Sequence, residues 1–315
     1  MSDVQLASLA LGNKLGDGGQ GSVHELVGDP RRVYKQYHNP KDPSFCVESL
    51  EALIAVRDKL VLSGRPVDDW AAWPSAIVRS GNDPVGFIMP RVPADFTFDA
   101  RGKSRLSELG VLAKKPGPLF DGITLPNRDE RIAILRHLAG AVSTLHEHGI
   151  VIGDLSFANI LWARTPTPRI MLIDCDGMRL QNRPAVLPQA ETPDWDDPLD
   201  AGSAAPTFDR DCYKLALAVL RVLGQTIDSR PADFDPASLD GLESGVAQRI
   251  RQSIAGSMGP VGTRPTARSW VSALSERATR PVQPGLRRVV AAPSAKPELL
   301  GSQERKFRSV TPPKK

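Results

Sequence analysis

Apolar and polar residues alternate around Val23, Glu25 and Val27, the two-residue period of a strand with one buried face. The glycine-rich run Leu15-Gly16-Asp17-Gly18-Gly19-Gln20-Gly21 before them marks a hairpin rather than a strand feeding a helix. Val33-Tyr34-Lys35 reads as a further strand, with Lys35 projecting from one face. Val47 to Leu53 reads as helix and sets Glu48 and Glu51 three residues apart, on neighbouring parts of one face. Phe87-Ile88-Met89 is an apolar strand end closed by Pro90, which has no N–H to donate. From Arg128 to His148 the period becomes helical. Ile132, Leu135, Leu138, Ala139, Val142 and Leu145 form a core stripe, and Gly149 stands where a C-terminal cap belongs. Leu172-Ile173 ends another apolar strand at Asp174. The run from Leu215 to Leu223 is broken by Arg221 and reads as a buried helix, too short for a membrane span. Arg183 to Ala205 and the stretch after Thr279 show no period, and no internal repeat is visible.

Chemistry concentrates where the long helix delivers the chain. Gly153-Asp154-Leu155-Ser156-Phe157-Ala158-Asn159 carries an Asp and, five residues on, an Asn; Asp174 follows at the end of the next strand pattern. One carboxylate of such a set can orient an attacking hydroxyl, while the amide and the second carboxylate hold a metal against phosphates. Upstream, Gly16, Gly18, Gly21 and Val23 complete G-x-G-x-x-G-x-V, which suits backbone folded closely over phosphates with Val23 covering a base. Lys35 follows at the spacing of a group that grips the α- and β-phosphates.

In this order the motifs resemble the eukaryotic-type (Hanks-type) protein kinase superfamily, from about residue 9 to about residue 278. The resemblance implies an α+β, bilobal fold: a small antiparallel β-sheet lobe with one helix (about 9–92), a hinge, and a larger, mainly helical lobe (about 93–278). It implies ATP and Mg2+ in the cleft, transfer of the γ-phosphoryl group to a serine or threonine of a protein substrate, and Asp154, Lys35, Asn159 and Asp174 as catalytic residues. Asn159 and Asp174 would be the magnesium ligands. Lys35 would pair with a helix glutamate, Glu51 on spacing, or Glu48. Met89 would be the gatekeeper, with the Pro90 carbonyl and the Val92 backbone contacting adenine. Thr192-Pro193 to Leu199 resembles the end of an activation segment, Asp211 the start of the buried helix after it, and Arg264-Pro265-Thr266-Ala267, with Trp270, the close of the domain.

Several positions depart from the family. Ile152-Gly153 replaces the usual His-Arg, which makes gating by an activation-loop phosphate less expected. Ser156 replaces a Lys that steadies the γ-phosphate, and Ser156→Lys would test whether that missing cation limits the rate. In Asp174-Cys175-Asp176-Gly177 the Phe is absent; Asp176 either adds an acidic group near the metal or faces solvent. Leu199 replaces the Glu that normally pairs with Arg264, leaving Asp196, Asp197 or Asp200 as substitutes. Together these changes resemble a divergent bacterial branch often encoded beside a protein phosphatase and a von Willebrand A-type partner. Two alternatives stay open. One is a pseudokinase that binds nucleotide as a scaffold; the other is a small-molecule phosphotransferase, whose Gly-Asp-Leu is similar.

Composition narrows the setting. The chain of 315 residues is long enough for two lobes around one cleft. Its N-terminus lacks the pattern of a secretion signal, and three cysteines without paired spacing fit a reducing, cytoplasmic setting. Residues 279–315 carry nine basic and two acidic side chains, a net +7, against +4 for the whole chain, so residues 1–278 carry −3. This Pro-rich tail is expected to be disordered and able to meet an acidic partner, nucleic acid or a membrane surface. Residues 1–8 are expected to be a short extension.

Overall fold

Period-two patterning in the first third of the chain becomes a six-stranded sheet. The computed structural model describes residues 3–276 except 118–119, 121–122, 189–191 and 201–204; the expected basic tail and Met1-Ser2 lie outside the described residues. The sheet strands are β1 (Val4–Gln5), β2 (Leu11–Asp17), β3 (Gly21–Leu26) and β4 (Asp29–Tyr37), then, after α1 (Val47–Val56) and the small hairpin β5 (Val61–Leu62) and β6 (Arg65–Pro66), β7 (Ala76–Ser80) and β8 (Asp83–Pro90). The order is β1-β7-β8-β4-β3-β2, antiparallel except for the short β1–β7 pair.

Register explains which side chains share a face. Lys35 lies opposite Val23 on one side and Phe87 on the other. Directly paired residues point the same way, so all three face inward together. One residue along, Tyr34 and Ile88 pair on the opposite face and pack with Leu26, Ala76 and Val78.

A second hairpin, β9 (Thr97–Ala100) and β10 (Lys103–Leu106), follows the sheet. The sequence pattern did not reveal it. Its two-residue loop, Arg101-Gly102, has φ of 54° and 78°, which twists with the strands but lacks the usual Asn-Gly or Asp-Gly signal.

The remainder is mainly helical. α2 (Arg128–Glu147) begins at a capping box in which Asn127 Oδ1 accepts from Glu130 N–H and Glu130 Oε2 accepts from Asn127 N–H. It ends at Gly149, whose φ of 74° favours glycine. After α2 come β11 (Ile150–Val151), the hairpin β12 (Ile160–Ala163) and β13 (Arg169–Leu172), and β14 (Arg179–Leu180), which pairs with β11. Helices α3 (Phe208–Gly224), α4 (Ser244–Ser257) and α5 (Ala267–Ala273) complete the described chain. α3 is buried from Arg210 to Leu223, as its apolar run requires.

One core runs through both halves. It joins Leu50 and Leu53 of α1, Phe87 of β8, Trp70 and Trp73, the stripe of α2, and α3 and α5. The whole is a mixed α/β structure with an N-terminal antiparallel sheet, compatible with a kinase-like bilobal fold. Cys46, Cys175 and Cys212 are free thiols. Among the described residues no helix is long and apolar enough to cross a membrane.

Candidate active site

The β12–β13 hairpin sets the centre of the site. Asn159 precedes β12 and Asp174 follows β13; their strands pair Ile160 with Leu172, so the two ends meet, and Ile173 N–H donates to the Asn159 carbonyl at 3.0 Å. Asp174 has φ 57°, ψ 39°, a left-handed conformation that Asp tolerates better than most residues. Asn159 Nδ2 donates to the Asp154 carboxylate at 2.9 Å and to the Asp154 carbonyl at 3.0 Å, which leaves the Asn159 side-chain oxygen as the atom able to face a cation. The other Asp154 oxygen accepts from the Thr192 hydroxyl at 2.7 Å. Asp154 is thereby held on both oxygens.

Lys35 does not meet the helix glutamates. Its Nζ lies 2.5 Å from Asp174 Oδ1 and 2.7 Å from Asp176 Oδ1. Glu51 instead sits at the surface, 3.5 Å from Arg79, and Glu48 accepts from the Cys46 thiol at 3.5 Å. The expected Lys35–Glu51 pair is therefore corrected. Two carboxylates closer to Lys35 already fill that role, and α1 turns its acidic face outward. Asp176 does not face solvent; it is 2 % exposed, and its second oxygen accepts from Tyr37 at 3.1 Å. Burial pushes the Asp176 carboxyl above the usual carboxylate range, against the pull of Lys35. Burial lowers the Lys35 ammonium, but Asp176 and Asp174 more than reverse this and raise it above the ordinary lysine value. The Tyr37 phenol is raised by burial and by Asp176.

Above these groups lies a cavity of about 710 Å3. Gly16, Gly18, Gly21, Val23, Lys35, Met89, Pro90, Val92, Asn159 and Asp174 all line it, and Thr97 and Leu106 of the β9–β10 hairpin close one side. The glycines are not equivalent. A Cβ on Gly16 would meet nothing within 4 Å and would project into open space, whereas a Cβ on Gly21 would fall 2.3 Å from the Gln36 carbonyl oxygen. Gly21 is thus required by the approach of β4, and Gly16 keeps the cavity wall low.

Asp211 supports the loop that carries Asp154. Fully buried at the start of α3, it accepts from Ile152 N–H at 2.8 Å and Gly153 N–H at 2.9 Å, and lies 3.1 Å from His146 Nε2. Lys214, one turn along α3, donates to the Gly153 carbonyl at 2.8 Å. Sequence reasoning missed Lys214 and Tyr37. The signals were a lysine in an apolar helix and an aromatic residue on the same strand face as Lys35. Ser156 is 0 % exposed and its hydroxyl has no hydrogen-bond partner, so this position looks inward rather than towards the cavity. Of the three substitutes considered for the Arg264 partner, Asp197 fills the role. Both its oxygens meet the guanidinium, Nη2 to Oδ1 at 2.9 Å, with Asp209 adding a contact at 2.9 Å.

The donor set suits a hard cation that is shared with a ligand. Among the described residues no group of three or more His, Cys, Asp or Glu side chains is arranged to hold a metal alone. One carboxylate at Asp174 and one amide oxygen at Asn159 match magnesium, which takes few protein ligands and completes its shell from water and phosphate oxygens.

No protein-family model matches the chain. Over 172 residues, 54 % of this chain, it is 27 % identical to a protein named protein kinase YegI from Escherichia coli K12, and over 171 residues it is 27 % identical to the protein of that name from Escherichia coli O157:H7. The match spans only 23 % of each relative's length. Over about half of its length, at modest identity, the chain is therefore similar to proteins named as kinases.

Proposed function

We propose that the protein is a Mg-ATP-dependent serine/threonine protein kinase that transfers the γ-phosphoryl group to a protein hydroxyl. The observation that carries this reading is the held Asp154 carboxylate, fixed between the Asn159 amide and the Thr192 hydroxyl beside a glycine-walled cavity lined by Lys35 and Asp174. Asp154 would orient the acceptor hydroxyl and take its proton as the bond to phosphorus forms. Lys35 would bind α- and β-phosphate oxygens. Asn159 and Asp174 would hold magnesium, which supplies charge neutralisation between the phosphates when bound. The glycine strand pair, Val23 and Met89 would enclose the base and keep water from the transferring group. Thr192 favours a protein acceptor, because it ties the segment that would carry such a substrate to the catalytic carboxylate itself.

A second reading has its own support. The inward-facing Ser156 provides no cation near the γ-phosphate, which would suit a pseudokinase that binds nucleotide without turnover. Intact-mass spectrometry after incubation with ATP and magnesium separates the two. We expect phosphate on the wild type or on an added protein substrate, and none with Asp154→Asn, which should still bind nucleotide. Nucleotide binding by the wild type with no transfer to itself or to any added protein would favour the pseudokinase. Turnover by Asp154→Asn at the wild-type rate would remove the catalytic role given to Asp154.

A further inference from the structure

We propose that Asp176, two residues beyond the candidate metal ligand, positions the Lys35 ammonium for phosphate binding, so that α1 is not part of the nucleotide site. The inference rests on the nucleotide reading above. It begins with a division of labour between two carboxylates. The Asp174 side chain is 41 % exposed and lines the cavity; the Asp176 side chain is 2 % exposed. Both Asp176 oxygens meet protein donors, Lys35 Nζ at 2.7 Å and the Tyr37 hydroxyl at 3.1 Å, and the buried side chain is not part of the cavity lining. A cation that engages Asp174 would weaken its hold on Lys35. Asp176 would then remain as the buried counter-charge, and a buried ammonium requires one.

The geometry of α1 agrees. Glu51 is 39 % exposed and 3.5 Å from Arg79, while Lys35 meets Asp174 and Asp176 instead. The helix is fastened elsewhere, by Cys46 N–H to the Val186 carbonyl and by the Ser49 hydroxyl to the Pro184 carbonyl, both at 2.8 Å. A displacement of α1 would therefore move the segment after β14 without taking the counter-ion from Lys35. Tyr37 reaches Asp176 because it lies two residues from Lys35 on one strand face, where side chains stack along the same side. Asp176 reaches the sheet because the tight turn Cys175–Gly177, entered from the left-handed Asp174, folds it back.

The test compares Asp176→Asn with Glu51→Gln in the full chain. Two readouts are needed: affinity for a fluorescent ATP analogue with magnesium, and the acylation rate of Lys35 by an amine-directed reagent, read by peptide mass. Asp176→Asn is expected to weaken nucleotide binding at least tenfold and to speed Lys35 acylation several-fold. Glu51→Gln is expected to stay within twofold of wild type on both. A tenfold loss in Glu51→Gln, or wild-type values in Asp176→Asn, would overturn the proposal. Should Asp176→Asn fail to fold, Asp176→Glu keeps the charge and displaces the carboxylate by one methylene. Nucleotide binding weakened several-fold then supports the assignment, and wild-type affinity overturns it. A wild type that binds no nucleotide would end the kinase reading, while the acylation rates would still decide whether Asp176 holds Lys35.

Discussion

At the scale of single residues, the site depends on buried charges whose partners are all in place. Asp211 is the clearest case, a fully buried carboxylate that accepts two backbone N–H groups of the loop carrying Asp154. Replacing it by Ala leaves both backbone donors and His146 without their acceptor. Loss of one partner from a buried charged network costs about 3–5 kcal/mol. We expect Asp211→Ala to lower unfolding free energy by that amount in urea titrations and to abolish activity even where folded protein is recovered. Ser156 leads to the opposite conclusion from the one its sequence position suggested. It is 0 % exposed, so Ser156→Lys would force a long cationic side chain into the core rather than towards a phosphate. The expected outcome is a lower melting temperature with no gain in turnover; a faster, equally stable variant would show that the loop can turn this side chain outward.

Elements are joined by contacts that carry their own pH dependence. Where α2 crosses β13, His137 Nδ1 accepts from Ile170 N–H at 3.4 Å. Burial, then Arg169 and Arg65, lower the His137 pKa from 6.5 to about 4. The folded state therefore resists a proton that the unfolded chain binds below pH 6.5. Stability from this group is complete above that pH and declines as pH falls towards 4. The decline amounts to about 3 kcal/mol at most, since each tenfold difference in proton affinity between the folded and unfolded chain is worth roughly 1.4 kcal/mol. Urea midpoints measured between pH 7 and 4.5 should fall in the wild type and fall less in His137→Gln. Parallel curves for the two would assign the acid sensitivity to other groups. The β9–β10 hairpin shows how an element escapes the sequence pattern, because Arg101-Gly102 adopts its two positive φ values without an Asn or Asp to announce them.

Across the described residues, the glycine strands, Lys35, the β8 end and the β12–β13 hairpin meet around one cavity, and one large hydrophobic cluster links the sheet to the helices. A ligand that bridges these parts binds only the folded state. At a hundred times its dissociation constant it adds about 2.7 kcal/mol to stability. For a domain of this size that is roughly 5–10 °C in melting temperature. Mg-ATP should produce a shift of this order in a thermal melt, and Asp174→Asn should lose most of the magnesium-dependent part. An equal shift in the variant would place the cation elsewhere.

The sequence by itself determined what short-range spacing can encode. The strand and helix periods, the cap at Gly149, and the set of Asp154, Asn159 and Asp174 were legible because each depends on residues a few positions apart, or on motifs that keep a fixed order. Only the tertiary structure decided which partner each buried charge takes. Lys35 meets Asp176 across 141 residues, and Arg264 meets Asp197 across 67. Several carboxylates stood near enough in sequence terms to serve, among them Glu48 and Glu51 for Lys35, and Asp196 and Asp200 for Arg264. The choice fell to packing, because a buried ion takes the counter-charge that is desolvated with it, and no local pattern records which one that will be.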